Sequence, residues 1–382
     1  MAGWTDVANV WKNVREVDLR PIREQALRDV KIALSGEQGS GRRALADCLR
    51  RDPHRPDTYT QTPVAIADLD AKEEVTGAHL LVLMVDPGSA DLERQRAWAH
   101  QWSNAGKTVM VFYNRKPAAL ESQTLDLEFV WDAASLVSAS ADDPDSLLEE
   151  FVPAVMKLLP DYHLSLARHF PLFRGPVAQK LINDTCLSNA AYSLGTGIAE
   201  VVPLLDIPLN ITDMVVLTKA QAFLVYRLGL ALGYSTQWQD YITEFGSVIG
   251  GGFLWRQIAR SLVGLVPIWG IVPKVAVAYA GTYVVGNVVL RWYLTGRHVT
   301  HKQIQELYRQ AFDQGKIVAQ NLLSKAPRPR LGRRKQDQLP ASSVEAQAGE
   351  TASEGQVCPN CGRSSAADAK FCQYCGHSLS PG

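Results

Sequence analysis

The chain has 382 residues and balances 39 Lys plus Arg against 39 Asp plus Glu. Its formal charge is therefore zero, which excludes a global pull toward nucleic acid and leaves only a local patch as a route to such binding. Apolar residues at 46% and charged residues at 20% describe a chain with enough apolar mass for a real core, spread over two or three domains.

The opening Met1-Ala2-Gly3-Trp4-Thr5-Asp6 has neither the basic n-region nor the apolar h-region of a secretory signal. Four of the six cysteines lie in two C-x-x-C pairs, while Cys48 and Cys186 stand alone in apolar surroundings. That usage suits a reducing compartment, and the expectation is a cytoplasmic protein. Within residues 1–28, Trp4, Val7, Trp11 and Val14 recur at helical spacing, with Lys12 and Arg15 on the other sides. Such an amphipathic helix fits a membrane surface, and it equally fits the protein's own core.

Residues 29–160 alternate strands and helices. Asp29 to Ser35 reads as a strand and runs into Gly36-Glu37-Gln38-Gly39-Ser40-Gly41-Arg42-Arg43, followed by a helix from Ala44 to Arg50. Strand, glycine loop and helix in that order place backbone amides and a helix N-terminus where they can cradle phosphate. Further strands are predicted at Pro63 to Ala67, His79 to Asp86 and Lys107 to Tyr113, with helices over Asp91 to Ala105 and Asp145 to Leu159. The apolar runs are those of buried parallel strands, so the expectation is a doubly wound parallel sheet.

This region resembles a bacterial Ras-like or Era-like GTPase domain, including Ser138-Ala139 where that family has a short base-contacting Ser-Ala motif. The resemblance implies an α/β P-loop fold with nucleotide contacts at Gly36, Gly39, Gly41, Arg42, Arg43 and Asn114. The departures fall on the catalytic parts. Arg42 replaces the phosphate-binding lysine, and Arg43 replaces the magnesium-binding Ser or Thr, where a guanidinium cannot ligate a cation. Asp68-Leu69-Asp70-Ala71 stands in place of Asp-x-x-Gly. In the base-reading motif Asn114 is kept, Arg115 replaces Lys and Pro117 replaces the guanine-reading Asp. Phosphoryl transfer depends on positioned magnesium and neutralised charge. The expectation is thus a degenerate module without enzymatic turnover, for which GTP or another nucleotide is a candidate ligand. Two arginines at a helix start still suit an anion, and an active GTPase stays open as the alternative.

Residues 161–325 shift to long apolar runs. Ile211 to Gly233 reads as a helix carrying Asp213, Lys219 and Arg227, and Ser261 to Leu290 has Lys274 as its only charge. Pro267, Gly270 and Pro273 are expected to split the latter into pieces of about 13 and 16 residues, each short of the roughly 20 that cross a bilayer. That suits a re-entrant hairpin or a buried pair in a soluble core. Gly229/Gly233 and Gly246/Gly250 have the spacing that permits close helix crossing. The blocks Val17-Asp18-Leu19-Arg20-Pro21-Ile22-Arg23-Glu24, Pro203-Leu204-Leu205-Asp206 and Gly246 to Gly296 are similar to the YcjF-like bacterial family. The resemblance implies a G domain followed by a membrane-associated helical domain. Residues 326–356 begin with a basic run, six basic residues and no acid between Lys325 and Lys335. It attracts an anionic lipid surface at roughly 1 kcal/mol per charge, or serves only as a solvated linker. The remainder reads as a disordered tether.

The tail, residues 357–380, carries Cys358-Pro359-Asn360-Cys361-Gly362 and Cys372-Gln373-Tyr374-Cys375-Gly376. Two C-x-x-C turns supply four thiolates for a tetrahedral Zn²⁺, and the glycine after each second cysteine lets amides point back at sulfur. The tail resembles the short zinc-ribbon family, which implies a closed, structural site held by Cys358, Cys361, Cys372 and Cys375. The functional expectation is a membrane-associated scaffold or sensor on the cytoplasmic face, with the ribbon recruiting an unidentified protein partner. A soluble zinc-ribbon adaptor is a further alternative. Metal analysis is expected to give about one Zn²⁺ per chain, lost in Cys358→Ser/Cys361→Ser while the rest of the protein stays folded. Two ions per chain, or global unfolding on chelation, would contradict this.

Overall fold

A parallel sheet covered on both faces needs strands that are apolar throughout. Leu80–Val85 and Val109–Asn114 are buried at every position. They lie at the centre of a five-stranded, wholly parallel sheet in the computed structural model. It describes residues 19–86, 89, 92–115, 131–201, 209–237, 240, 271–296, 299–325, 356–357, 359 and 364–365. Contacts divide the chain into two units, Met1–Ala326 and Pro327–Gly382. The tryptophan stripe of residues 4–11 lies outside the described residues.

In the first unit, helix α1 (Arg20–Leu27) precedes β1 (Ile32–Gly36) and α2 (Arg42–Arg50). A two-stranded antiparallel hairpin follows, β2 (Arg51–Asp52) and β3 (Arg55–Tyr59), then β4 (Ala65–Ala67), α3 (Lys72–Thr76) and β5 (Leu80–Val85). Helix α4 (Leu92–Asn104) leads to β6 (Val109–Asn114) and, further on, β7 (Ser135–Ala139). The strand order is β4-β1-β5-β6-β7, with Ile32 opposite Leu80, Leu81 opposite Val109 and Met110 opposite Ser135.

Side chains alternate across the sheet as the pleat requires. Ala33, Leu81, Leu83 and Val111 face α4, whose Trp98 and Trp102 close that side. Ile32, Leu34, Val82, Met84 and Phe112 face the opposite way, into an apolar cluster that runs on without a break through the later helices to Phe312. The chain enters that layer through α5 (Pro144–Ser146), a π-helical turn (Leu147–Phe151) and α6 (Val152–Leu158). The wide turn has a local cause. Pro153 has no N–H, and its ring would press on the carbonyl four residues back; widening by one residue, with the Val152 N–H reaching Leu147 O, relieves both problems.

The helical layer consists of α7 (His163–His169), α8 (Arg174–Val201), α9 (Leu209–Ala231), α10 (Ile271–Thr295) and α11 (His301–Lys325). Two expectations change here. The second apolar piece, expected at about 16 residues, is the 25-residue α10, which includes Pro273 as its third described residue. Gly233 does not mediate a helix crossing. It ends α9 with a φ of 86°, Tyr234 N donating to Gly229 O and Gly233 N to Leu230 O, a left-handed stop that glycine alone adopts cheaply. The close crossings lie elsewhere. A Cβ on Gly315 of α11 would sit 2.8 Å from the Cα of Ala276, and one on Gly286 of α10 would sit 2.7 Å from the side chain of Ile182 in α8. Between α8 and α10, Asn189 Nδ2 donates to Thr282 Oγ1 at 2.8 Å, both residues being buried. Gly246/Gly250 and residues 261–270 lie outside the described residues.

Gly315→Val should cost about 1–3 kcal/mol of stability, since the obstacle is backbone and cannot rotate away. Ile317→Thr, at an exposed position of the same helix, should stay within about 0.5 kcal/mol. Urea unfolding followed by circular dichroism measures both.

Candidate functional site

Strand β1 sends its chain to β4 on one side, and β5 sends its chain to β6 on the other. The carboxyl ends of β1 and β5 thus flank the crevice where open α/β sheets place ligands. The glycine loop occupies this crest. Gly36 closes β1, Gly39 turns with a φ of 83°, and Gly41 caps α2 with a φ of 96°. A Cβ on Gly41 would lie 2.3 Å from the Asn114 amide nitrogen, so only glycine admits this approach. Asn114, the last residue of β6 and 7% exposed, uses both ends of its amide on backbone. Nδ2 donates to Ser40 O at 3.1 Å, and Oδ1 accepts from Ala141 N at 3.0 Å. It staples the loop after β1 to the loop after β7. The Ser-Ala pair at that loop is Ser140-Ala141, whereas Ser138-Ala139 lies inside β7. Pro117 lies outside the described residues.

Arg42 is committed to the protein itself. Its Nη1 donates to Asp68 Oδ1 at 2.7 Å and also to Ala67 O, so the guanidinium spans from α2 to the end of β4 with its side chain 12% exposed. Two residues on, Asp70 pairs with Arg94 Nη2 of α4 at 2.6 Å. The segment in the place of Asp-x-x-Gly is held at both carboxylates. Arg43 is exposed. The loop's own Glu37 accepts from Ser89 Oγ at 2.8 Å, and Ser89 Oγ accepts from Gln95 Nε2 at 2.9 Å. A magnesium nucleotide fits this set poorly. A carboxylate lies within the loop, one guanidinium is already neutralised, and no hydroxyl stands at position 43 for a metal.

Sequence reasoning missed the contacts on the hairpin side. Thr60 Oγ1 and Thr62 Oγ1 both donate to His169 O, at 3.1 and 2.5 Å, and Arg50 Nε donates to Thr62 O at 2.9 Å. Asp52 pairs with Arg174 at 3.7 Å, the side chains being 4% and 11% exposed. Burial pulls the Arg174 guanidinium below its usual range, against the opposing pull of Asp52. Arg55 Nη2 donates to Tyr293 O at 2.6 Å. The partners are separated by 107 to 238 residues along the hydrogen-bonded pairs to the helical layer, and no local spacing announces them.

Cys358, Cys361, Cys372 and Cys375, the expected zinc ligands, lie outside the described residues. In the second unit, β8 (Gln356–Val357) pairs antiparallel with β9 (Ser364–Ser365), which brackets the first C-x-x-C between two short strands. Among the described residues no group of three or more His, Cys, Asp or Glu side chains is placed to hold a metal. Burial pushes the Cys48 thiol up to about 11 and the Cys186 thiol up to about 12. Both remain protonated near neutrality, and neither suits a metal or a nucleophilic role.

His169 supplies a pH test. Burial first, then the neighbouring Arg168, lowers its pKa below 6.5, and its Nε2 is buried without a partner. The unfolded chain takes up a proton near pH 6.5, while the folded chain resists until a lower pH. The penalty is absent well above that value and grows as pH falls from it toward the folded value. Urea midpoints from about pH 7.5 to about pH 5.5 should therefore fall less steeply in His169→Asn than in the parent chain. Parallel slopes would exclude His169 as the source.

Models of known protein families give no match to this chain, and neither do the curated proteins. The chemistry of the crest therefore carries the functional reading by itself.

Proposed function

We propose that the chain is a non-hydrolysing scaffold, in which a Ras-like, P-loop-shaped module keeps its form without a nucleotide cycle and a tethered zinc ribbon engages a protein partner. One observation carries this reading. Arg42, at the position of the phosphate-binding lysine, is spent on Asp68 and Ala67 O. A switching domain needs segments that a ligand's phosphate and metal can hold or release. Here those segments are held by the protein's own side chains, Asp68 and Asp70 on one side, Thr60 and Thr62 on the other. The donor set of the tail, four cysteines in two C-x-x-C turns, fits a closed zinc site of the kind that builds small partner-binding modules.

For the helical layer, attachment to the cytoplasmic face of a membrane is the first reading. Its support is α10: residues Val272–Thr295 are long and apolar enough to cross a bilayer, with mean hydropathy 1.2. A soluble adaptor is the second reading, favoured because 56% of the most apolar window of that stretch is buried within the protein. Flotation with anionic vesicles separates them. Membrane attachment predicts co-flotation that high salt weakens but does not abolish, since apolar insertion is not screened. Recovery in the protein-only fraction at every salt concentration selects the adaptor.

The nucleotide reading has its own test. Titration with GTP, GDP and ATP, with and without Mg²⁺, should show no magnesium-dependent saturation, and hydrolysis should stay at background. Turnover that requires Mg²⁺ and prefers GTP would overturn the scaffold in favour of a working GTPase.

A further inference from the structure

We propose that residues 51–62 form a strap that couples the ends of three helices in the helical layer to the glycine loop, so that a change at either end is felt at the other. The strap leaves the C-terminus of α2, folds back as the β2–β3 hairpin with an irregular register between Arg51 and Asp52, and returns to β4. On its outer side it is fastened at helix ends. Asp52 pairs with Arg174, the first residue of α8. Arg55 donates to Tyr293 O near the end of α10, a carbonyl that Tyr234 Oη also reaches at 2.8 Å. Thr60 and Thr62 share the carbonyl of His169, the last residue of α7, and one carbonyl has lone pairs for both.

On its inner side the strap is tied to one end of α2, and the other end of that helix is tied to the chain just beyond the strap. Arg50, the last residue, holds Thr62 O; Arg42, the first, holds Ala67 O and Asp68. A helix of nine residues is stiff over its length. Movement of Thr62 therefore reaches Arg42 through α2, and movement of β4 reaches it directly. The linkage is a contiguous series of hydrogen bonds and one rigid element, which is the physical form that coupling between separated sites requires. It holds whether or not any nucleotide binds, so it stands apart from the scaffold reading.

Hydrogen–deuterium exchange on the full chain tests it. Thr60→Val/Thr62→Val removes both hydroxyls with little change in shape. Exchange should accelerate by about tenfold in residues 51–62 and also in residues 36–45 and 65–71. Coupling is reciprocal, so Asp68→Ala should accelerate exchange in residues 51–62 as well as around its own position. Ile317→Thr, at an exposed position of α11, a helix to which the strap is not fastened, should leave residues 36–45 at parent protection. Acceleration confined to residues 51–62 in the threonine variant overturns the proposal, as does an equal response of the glycine loop to Ile317→Thr. Should the double variant fail to fold, Thr60→Val alone reads the same segments, with the Thr62 bond left in place.

Discussion

A sheet whose strands all run parallel cannot leave either face in water, because neither face alternates apolar with polar positions. Most of this molecule follows from that constraint. On one face the short helices between strands, with Trp98 and Trp102, are sufficient cover. On the other face α2 and the turn around Phe151 cover only part, and the apolar surface continues into α7 through α11. The helical layer is consequently a wall of the same core, and its apolar helices have work to do inside the protein. Area removed from water on this face stabilises sheet and helices together, at roughly 25 cal/mol per Å², so neither can be judged as an independent fold.

At the crest, charge is neutralised internally. A nucleotide-binding loop leaves its cations for phosphate; this loop turns Arg42 onto an aspartate 26 residues away and places Glu37 within its own backbone arc. The ion pairs are partly exposed, so each adds little to stability by itself. Their effect is positional. They hold β4, α2 and α4 in one arrangement, and Asn114 joins the two remaining loops with an amide rather than a charge.

Much of the sheet was legible in the sequence because buried parallel strands are uninterrupted apolar runs: β5 and β6 lie within one or two residues of their expected ends. The crest was legible as far as residue type goes. Arg42 and Arg43 are legible as two cations at a helix start, but no spacing states that Arg42 reaches Asp68. Ser138-Ala139 was expected at the loop after the last strand, but it lies inside β7, and Asn114 reaches Ala141 instead. In the helical layer, the second apolar piece was judged too short because Arg291 closes the apolar run, whereas α10 continues to Thr295. The Gly229/Gly233 pair misled for a different reason. Glycine serves both as a helix stop and as a crossing point, and Gly233 and Gly315 divide those roles without any difference in local composition.

Helix α10 is apolar on nearly all sides where it packs on α8, so hydrophobic contact leaves its rotation about the long axis and the sliding of the pair weakly specified. The Asn189–Thr282 bond acts on both degrees of freedom. Thr282 is itself anchored to Ala278 O at 2.9 Å, and a slip of one turn would leave the Asn189 amide in a dry interior without a partner. The cost of that orphaned group, about 1–3 kcal/mol, singles out one phase of the helix pair among several that would pack with similar area. The buried amide thus works as an index mark: it contributes less to how tightly the two helices are held than to which of their possible alignments is the native one.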